Sequence, residues 1–286
     1  MKGEGRMNKW ITAVMIAAVF ALQAKQKEKP DANTLWLEDG KDIAVEKKPN
    51  FRHWMPGAGK RALDIKPKAD GKGFTLFAQD SNGRYTVTRI KISPEYPYLT
   101  FRITGLEVLK GYCDWRFTVE KMMTIVQTAT PQKGIYVCNL FRNLPETESG
   151  RKAAYFYIYL HNLRMDLEYI KLVKKPAVLV RAECADPEIK PGSKVKFIAE
   201  LPNKAEEVSI SLIDGRALRP VPVNDAAKIQ LKPADETKTT WIAELELKSI
   251  GIQNAVSRHG LFMKMEVQGG NLNEPVWASL PYPAAP

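Results

Sequence analysis

Histidine and cysteine are scarce, with three of each in 286 residues. His53, His161 and His259 contain no pair at the His-x-x-x-His spacing of a helical zinc site, and no Cys-x-x-Cys occurs, so a structural zinc site has no support. Cys113, Cys138 and Cys184 are an odd set, which allows at most one disulfide in a monomer. A Cys113–Cys138 bridge would stabilise the fold by about 3 kcal/mol; buried free thiols are the alternative. The chain also lacks a Gly-x-Ser-x-Gly elbow, a Gly-rich phosphate loop before a helix and a Gly-x-Gly-x-x-Gly after a strand. Hydrolase triads and nucleotide binding lose their usual markers. Lysines and arginines come in pairs such as Lys47, Lys48 and Lys174, Lys175, never in a block of five, which argues against a nucleic-acid tail. No apolar run reaches the roughly 20 residues of a membrane span. The 44% hydrophobic content, with 18 glycines and 19 prolines, fits none of the coiled-coil, collagen-like or low-complexity classes and suffices for two ordinary domains.

What is present begins with the N-terminus. A basic stretch ends at Lys9, an apolar run spans Trp10 to Leu22, and Ala24 precedes the polar Lys25 to Lys29. This order reads as a secretory signal peptide over residues 1–24, with Met7 as an alternative start. An uncleaved anchor is the weaker reading, and no cysteine follows the run to accept a lipid. The expected location is secreted or periplasmic, with no membrane span after cleavage. Net charge is +11; Lys2, Arg6 and Lys9 against Glu4 account for +2 of it, leaving about +9 on the exported part. A diffuse basic surface favours anionic partners. A solvated surface with no ligand is the plainer alternative.

Beyond residue 24, short alternating runs are separated by turn residues every 8 to 15 positions, a pattern that predicts an all-β chain. Leu99, Phe101 and Ile103 alternate with Tyr98, Thr100 and Arg102; Trp115, Phe117 and Val119 alternate with Arg116, Thr118 and Glu120. Asp39-Gly40, Asp70-Gly71, Asn82-Gly83 and Asp214-Gly215 supply turn chemistry. A strand over Leu167 to Val173 precedes Lys174, Lys175, Pro176, and a second strand set follows. The expected organisation is a β-sandwich over 25–176 and another over 177–286.

The second part holds about seven alternating strands, the number in an immunoglobulin-like sandwich. Its stretch Glu188-Ile-Lys-Pro-Gly-Ser-Lys-Val-Lys-Phe197 resembles the lead-in to the second strand of bacterial immunoglobulin-like and fibronectin-like domains, without the Cys, Trp, Cys arrangement of antibodies. In the first part, Tyr96-Pro-Tyr-Leu-Thr-Phe-Arg-Ile103, Ala154-Tyr-Phe-Tyr-Ile-Tyr-Leu160 and Asp166-Leu-Glu-Tyr-Ile-Lys-Leu-Val173 resemble galactose-binding-like jelly rolls, the fold of many carbohydrate-binding modules. The resemblance implies a jelly-roll sandwich followed by an immunoglobulin-like one. It assigns no ligand residue.

Within the first part, Tyr155, Tyr157 and Tyr159 fall on one face of a strand, with Phe156, Ile158 and Leu160 on the other. The latter face is the better core face, because it has no hydroxyl to satisfy. The tyrosine face then offers flat apolar rings and hydroxyls suited to sugars, unless a loop or the second domain covers it. Tyr98 and Arg102 share one side of another strand and join this candidate surface if the two strands share a sheet. Trp54, in a Pro- and Gly-containing loop, is either a sugar platform or an end plug. Asp166 and Glu168, or Glu38, Asp39 and Asp42, offer oxygens to a structural Ca²⁺; turn and cap roles are the alternative. No other cofactor is expected. These features predict an exported, non-catalytic glycan-binding protein for acidic or sulfated polysaccharide. A structural envelope protein binding a protein partner is the alternative, and a polysaccharide hydrolase or lyase the weaker one.

Mass spectrometry of the protein exported by a bacterial host is expected to show a new N-terminus near Lys25. An intact N-terminus in the membrane fraction would refute cleavage.

Overall fold

Alternating β-branched, aromatic and polar residues favour extended backbone, and a computed structural model of the chain is all-β. It describes residues 31–41, 54–56, 64–87, 93–111, 113–119, 123–126, 128, 130–140, 156–185, 191–248 and 261–280. Residues 1–24, read above as a signal peptide, and Asp42, His53, Tyr155 and His259 lie outside the described residues. In the first half the strands are β1 (Thr34–Glu38), β2 (Trp54–Pro56), β3 (Asp64–Pro67), β4 (Phe74–Val87), β5 (Tyr98–Val108), β6 (Asp114–Val119), β7 (Met123–Val126), β8 (Gly134–Asn139) and β9 (Phe156–Val173). In the second they are β10 (Leu179–Cys184), β11 (Lys194–Glu200), β12 (Glu207–Asp214), β13 (Pro220–Val221), β14 (Ile229–Gln230), β15 (Lys232–Pro233), β16 (Thr240–Glu246), β17 (Leu261–Gln268) and β18 (Val276–Leu280).

β9 organises the first half. Its Phe156–His161 stretch pairs with β4 and β6, Leu163–Leu167 with β4 and β5, and Ile170–Val173 with β5 and β1. The two runs read from the sequence as separate strands, around 154–160 and 167–173, are therefore one strand of 18 residues. Its buried side chains explain why. Ile158 and Leu160 are buried, then Leu163, Met165 and Leu167, then Ile170 and Leu172, so the core-facing set passes from even to odd to even numbers. The first change falls at Asn162, whose φ of 48° is left-handed, opposite a register shift in β4 between Ala78 and Asn82. The second falls at Glu168 and Tyr169, beside register shifts around Ile103 of β5. Each is a β-bulge that turns the strand over while one side stays on the core.

The turn expectations divide. Gly40 and Gly71 adopt φ values of 85° and 70°, as Asp-Gly turns require. Asn82-Gly83 closes no hairpin. It lies inside β4 just beyond the register shift, paired with His161 and Leu160 of β9, and the extra residues of the shift are Gln79, Asp80 and Ser81.

The first core is aromatic. Phe101 lies 4.4 Å from Phe117 and 4.7 Å from Tyr136 between ring centres, and Trp115 meets Tyr136 edge-on at 5.7 Å. The polar tips are satisfied, as burial demands. Trp115 Nε1 donates to Thr128 Oγ1 at 3.0 Å, and the Tyr136 hydroxyl donates to the Gln132 carbonyl and accepts from the Gln132 amide. Burial pushes the Tyr136 hydroxyl and the Cys138 thiol well above their ordinary pKa values. Cys113, Cys138 and Cys184 form no disulfide, and Cys113 and Cys138 are buried.

A second core, including Phe197, Trp241, Val208 and Met263, lies between the sheet β10-β11-β16-β15 and the β12-β17-β18 strands. This is β-sandwich packing. Both cores draw residues from each side of position 176, since Ile213, Phe262 and Trp277 join the first and Val137 the second. Hydrogen bonding also crosses from half to half: β8 runs parallel to β18, with Ile135 opposite Val276 and Tyr136 opposite Trp277, so 14 strands form one sheet. Residues Asn33–Pro286 cluster as one unit.

Trp277 belongs to the second half but packs in the first core, 6.1 Å from the Tyr136 ring, and its Nε1 donates to the Lys133 carbonyl at 3.2 Å. Trp277→Ala is expected to cost about 3–5 kcal/mol and to lower the melting of the 25–176 half, followed in calorimetry. A first-half transition unmoved by the substitution would show that the shared strands do not couple the halves.

Candidate functional site

The side of β9 turned away from the first core carries Tyr159, His161, Arg164, Asp166, Glu168, Tyr169 and Lys171, all half-buried or exposed. Three stations follow along it. In the first, Tyr159 is cross-strand to Arg116 of β6 and Arg84 of β4. The Arg116 guanidinium carbon sits 4.5 Å from the Tyr159 ring centre, within cation–π range. Arg116 Nε is buried and has no hydrogen-bond partner among the described residues. Tyr157 precedes on the same strand, opposite Thr86 and Thr118 in the backbone register. The assignment of Ile158 and Leu160 to the core and Tyr159 to the opposite side agrees with this burial.

The second station begins at Arg164, five residues and ~16 Å further along the strand. There β3, β4 and β9 form a lattice. Asp64, Phe77 and Arg164 make one row, and Lys66, Thr75 and Asp166 the next. Together with Pro67, Lys68, Ala69 and Asp70 they line a groove of about 580 Å³. Thr75 Oγ1 donates to Asp166 Oδ1 at 2.6 Å, and Arg164 Nε lies 3.7 Å from the same oxygen. Lys66 pairs with Asp64 at 2.9 Å and Lys68 with Asp70 at 3.5 Å. The Lys72 amide, hydrogen-bonded to Asp70, holds that carboxyl below its ordinary pKa. None of Asp64, Lys66, Phe77 or Arg164 stood out in the sequence. Their only common signal is outward alternation on three strands whose adjacency is not local.

The third station is closed. Arg102 of β5 donates from Nη1 to Glu168 Oε2 at 2.6 Å, and its Nε is 2.7 Å from Oε1 of Glu274, which lies between β17 and β18. Burial opposes its charge, yet Glu274 and Glu168 hold the guanidinium above its ordinary pKa. Thr100 is buried at 2% exposure rather than lying on an open face. Burial raises the Tyr169 hydroxyl pKa, which its hydrogen bond with Thr100 opposes. Tyr98 packs against the second core, beside Leu179 and Val180. Tyr98 and Arg102 share one side of their strand as expected, and their strand shares a sheet with β9. The Arg102 partner Tyr169 is nevertheless ten residues, ~33 Å, from Tyr159, so the two sets do not come together.

The remaining candidates are placed as follows. Trp54 lies in β2 opposite Val87 in the backbone register; its side chain, like those of Tyr157 and Arg84, is outside the described residues. Asp166 and Glu168 do not converge, since one is held by Thr75 and the other by Arg102. Glu38 accepts from the Gly40 amide and Asp39 from the Lys41 amide. Among the described residues, no three His, Cys, Asp or Glu side chains gather to hold a metal ion.

No family model and no curated protein matches the chain. The solved structures similar to it at a low level include the following two. A DUF4785 family protein from Legionella pneumophila has a TM-score of 0.24 and 12% identity over 79% of this chain and 68% of that one. A beta-1,2-glucanase from Parabacteroides distasonis has a TM-score of 0.25 and 11% identity over 81% of this chain and 36% of that one.

The Arg102 pairs are partly exposed, with the Arg102 side chain at 36%, so they are worth about 1 kcal/mol or less. Arg102→Met is expected to lower Tm slightly at low salt, with the loss shrinking at high salt. A loss that does not change with salt would show that packing, not charge, holds this station.

Proposed function

We propose that the chain is an exported, non-catalytic glycan-binding protein that takes an acidic or sulfated polysaccharide on the outward side of β9 at Tyr159, with Tyr157 and Tyr155 as further candidates from the sequence. The observation that carries this reading is the Arg116 guanidinium stacked on Tyr159, with an Nε lacking a partner among the described residues. A tyrosine ring offers its face to the C–H groups of a pyranose. A guanidinium held on that ring donates paired hydrogen bonds to a carboxylate or sulfate. The charge of about +9 after removal of residues 1–24 raises the encounter rate with a polyanion. The jelly-roll and immunoglobulin-like likenesses of the two halves are part of the same proposal, as is a secreted or periplasmic location.

One observation favours a second reading, an envelope protein with a protein partner. Leu35 and Leu37 of β1 are 37% and 48% exposed, on a strand that pairs with β9 alone among the described strands.

Binding of heparin and polygalacturonate to the mature protein is to be measured by calorimetry at two salt concentrations. Arg116→Ala is expected to weaken binding about tenfold or more, the scale of a lost charge-assisted hydrogen bond, and Tyr159→Ala at least as much, with affinity falling as salt rises. Wild type that binds neither polymer, or folded variants that bind as wild type does, would overturn the reading.

A further inference from the structure

We infer that the groove between β3, β4 and β9 is a second saccharide site, for a neutral pyranose chain. This goes beyond the acidic site at Tyr159, since the residues and the ligand chemistry both differ. The argument starts from charge. Asp64, Asp70 and Asp166 face Lys66, Lys68 and Arg164 around the groove, so the lining carries no formal net charge and selects neither a polyanion nor a polycation. It is instead rich in hydrogen-bonding groups of both kinds. Carboxylates only accept, while ammonium and guanidinium groups only donate. A ring bearing several hydroxyls, each both donor and acceptor, is the neutral ligand that uses such a lining fully.

The centre of the groove is aromatic. Phe77 is half-buried, and its cross-strand neighbours are Asp64 on one side and Arg164 on the other. An apolar ring flanked by an acceptor and a donor matches a sugar lying flat, its C–H face on the ring and its equatorial hydroxyls reaching sideways. In the next row, Asp166 is held in place by the Thr75 hydroxyl. Opposite it on β5 stands Gly105, where an added Cβ would come within 2.5 Å of Asp166 Oδ2. The missing side chain gives the carboxylate its place. The Lys66–Asp64 pair in the groove is open to solvent, with side chains 74% and 56% exposed, so ligand hydroxyls displace it at small cost. The volume of about 580 Å³ is within the range of small-molecule sites.

The test uses the mature full-length chain and four probes: cellohexaose, laminarihexaose, mannohexaose and xylohexaose, titrated to millimolar concentration by calorimetry and by protein NMR. At least one is expected to bind, with an affinity that changes less than twofold between low and high salt. Phe77→Ala and the exposed-site variant Asp64→Asn are each expected to weaken that binding tenfold or more and to leave heparin binding as it was; Tyr159→Ala is expected to leave it unchanged. Asp64→Asn keeps the test decisive should Phe77→Ala fail to fold. Failure of all four probes, wild-type affinity in folded Asp64→Asn, or loss of hexasaccharide binding in Tyr159→Ala would each overturn the inference. Hexasaccharide binding without heparin binding would uphold this site and overturn only the acidic one.

Discussion

The pairing of β9 along both of its edges is the constraint on which the first half depends. An 18-residue strand with neighbours on each side must satisfy its backbone continuously while keeping one side apolar against a core. A sheet twists, and the strands flanking β9 change from β6 to β5 and from β4 to β1 along its length. No single alternation survives that change of partners. Two bulges absorb the mismatch, one at Asn162 and one at Glu168 and Tyr169, and after each the apolar residues return to the core side.

The same device sorts the outward face. Between the start of β9 and the first bulge the face is aromatic and basic, with Tyr159 under Arg116. Between the bulges it is the mixed-charge lattice of Asp64, Phe77, Arg164 and Asp166. Beyond the second bulge it is occupied by the second half of the chain, with Arg102 clasped between Glu168 and Glu274 and Tyr98 absorbed into the second core. The parallel pairing of β8 with β18 makes that closure part of the sheet itself.

Much of this was legible in the alternation. Leu99, Phe101 and Ile103, with Trp115 and Phe117, are all fully buried, as a period of two requires. The choice of the Ile158 and Leu160 side for the core followed from the cost of burying hydroxyls, and the burial agrees. The 18-residue strand was not legible, because two parity changes make one strand look like two. Asn82-Gly83 does not reverse the chain: it stays paired with His161 and Leu160 of β9, because an Asn-Gly pair permits a hairpin turn without requiring one. The groove around Phe77 left no trace, since an isolated phenylalanine among charged alternate positions is what any half-exposed strand shows.

Composition and local pattern alone determined the all-β class, the apolar side of each short strand, the basic balance and the presence of tyrosines with an arginine nearby on the alternation. These are properties of residues within a few positions of one another, where backbone geometry sets the outcome. Which arginine meets the tyrosine was decided by tertiary structure. Arg102, the residue singled out in the sequence, is neutralised by Glu168, 66 positions away, and by Glu274, still more distant, while Arg116 reaches Tyr159 because β6 pairs with β9. Strand adjacency depends on how whole faces pack and close, and no local pattern encodes which partner a strand will find.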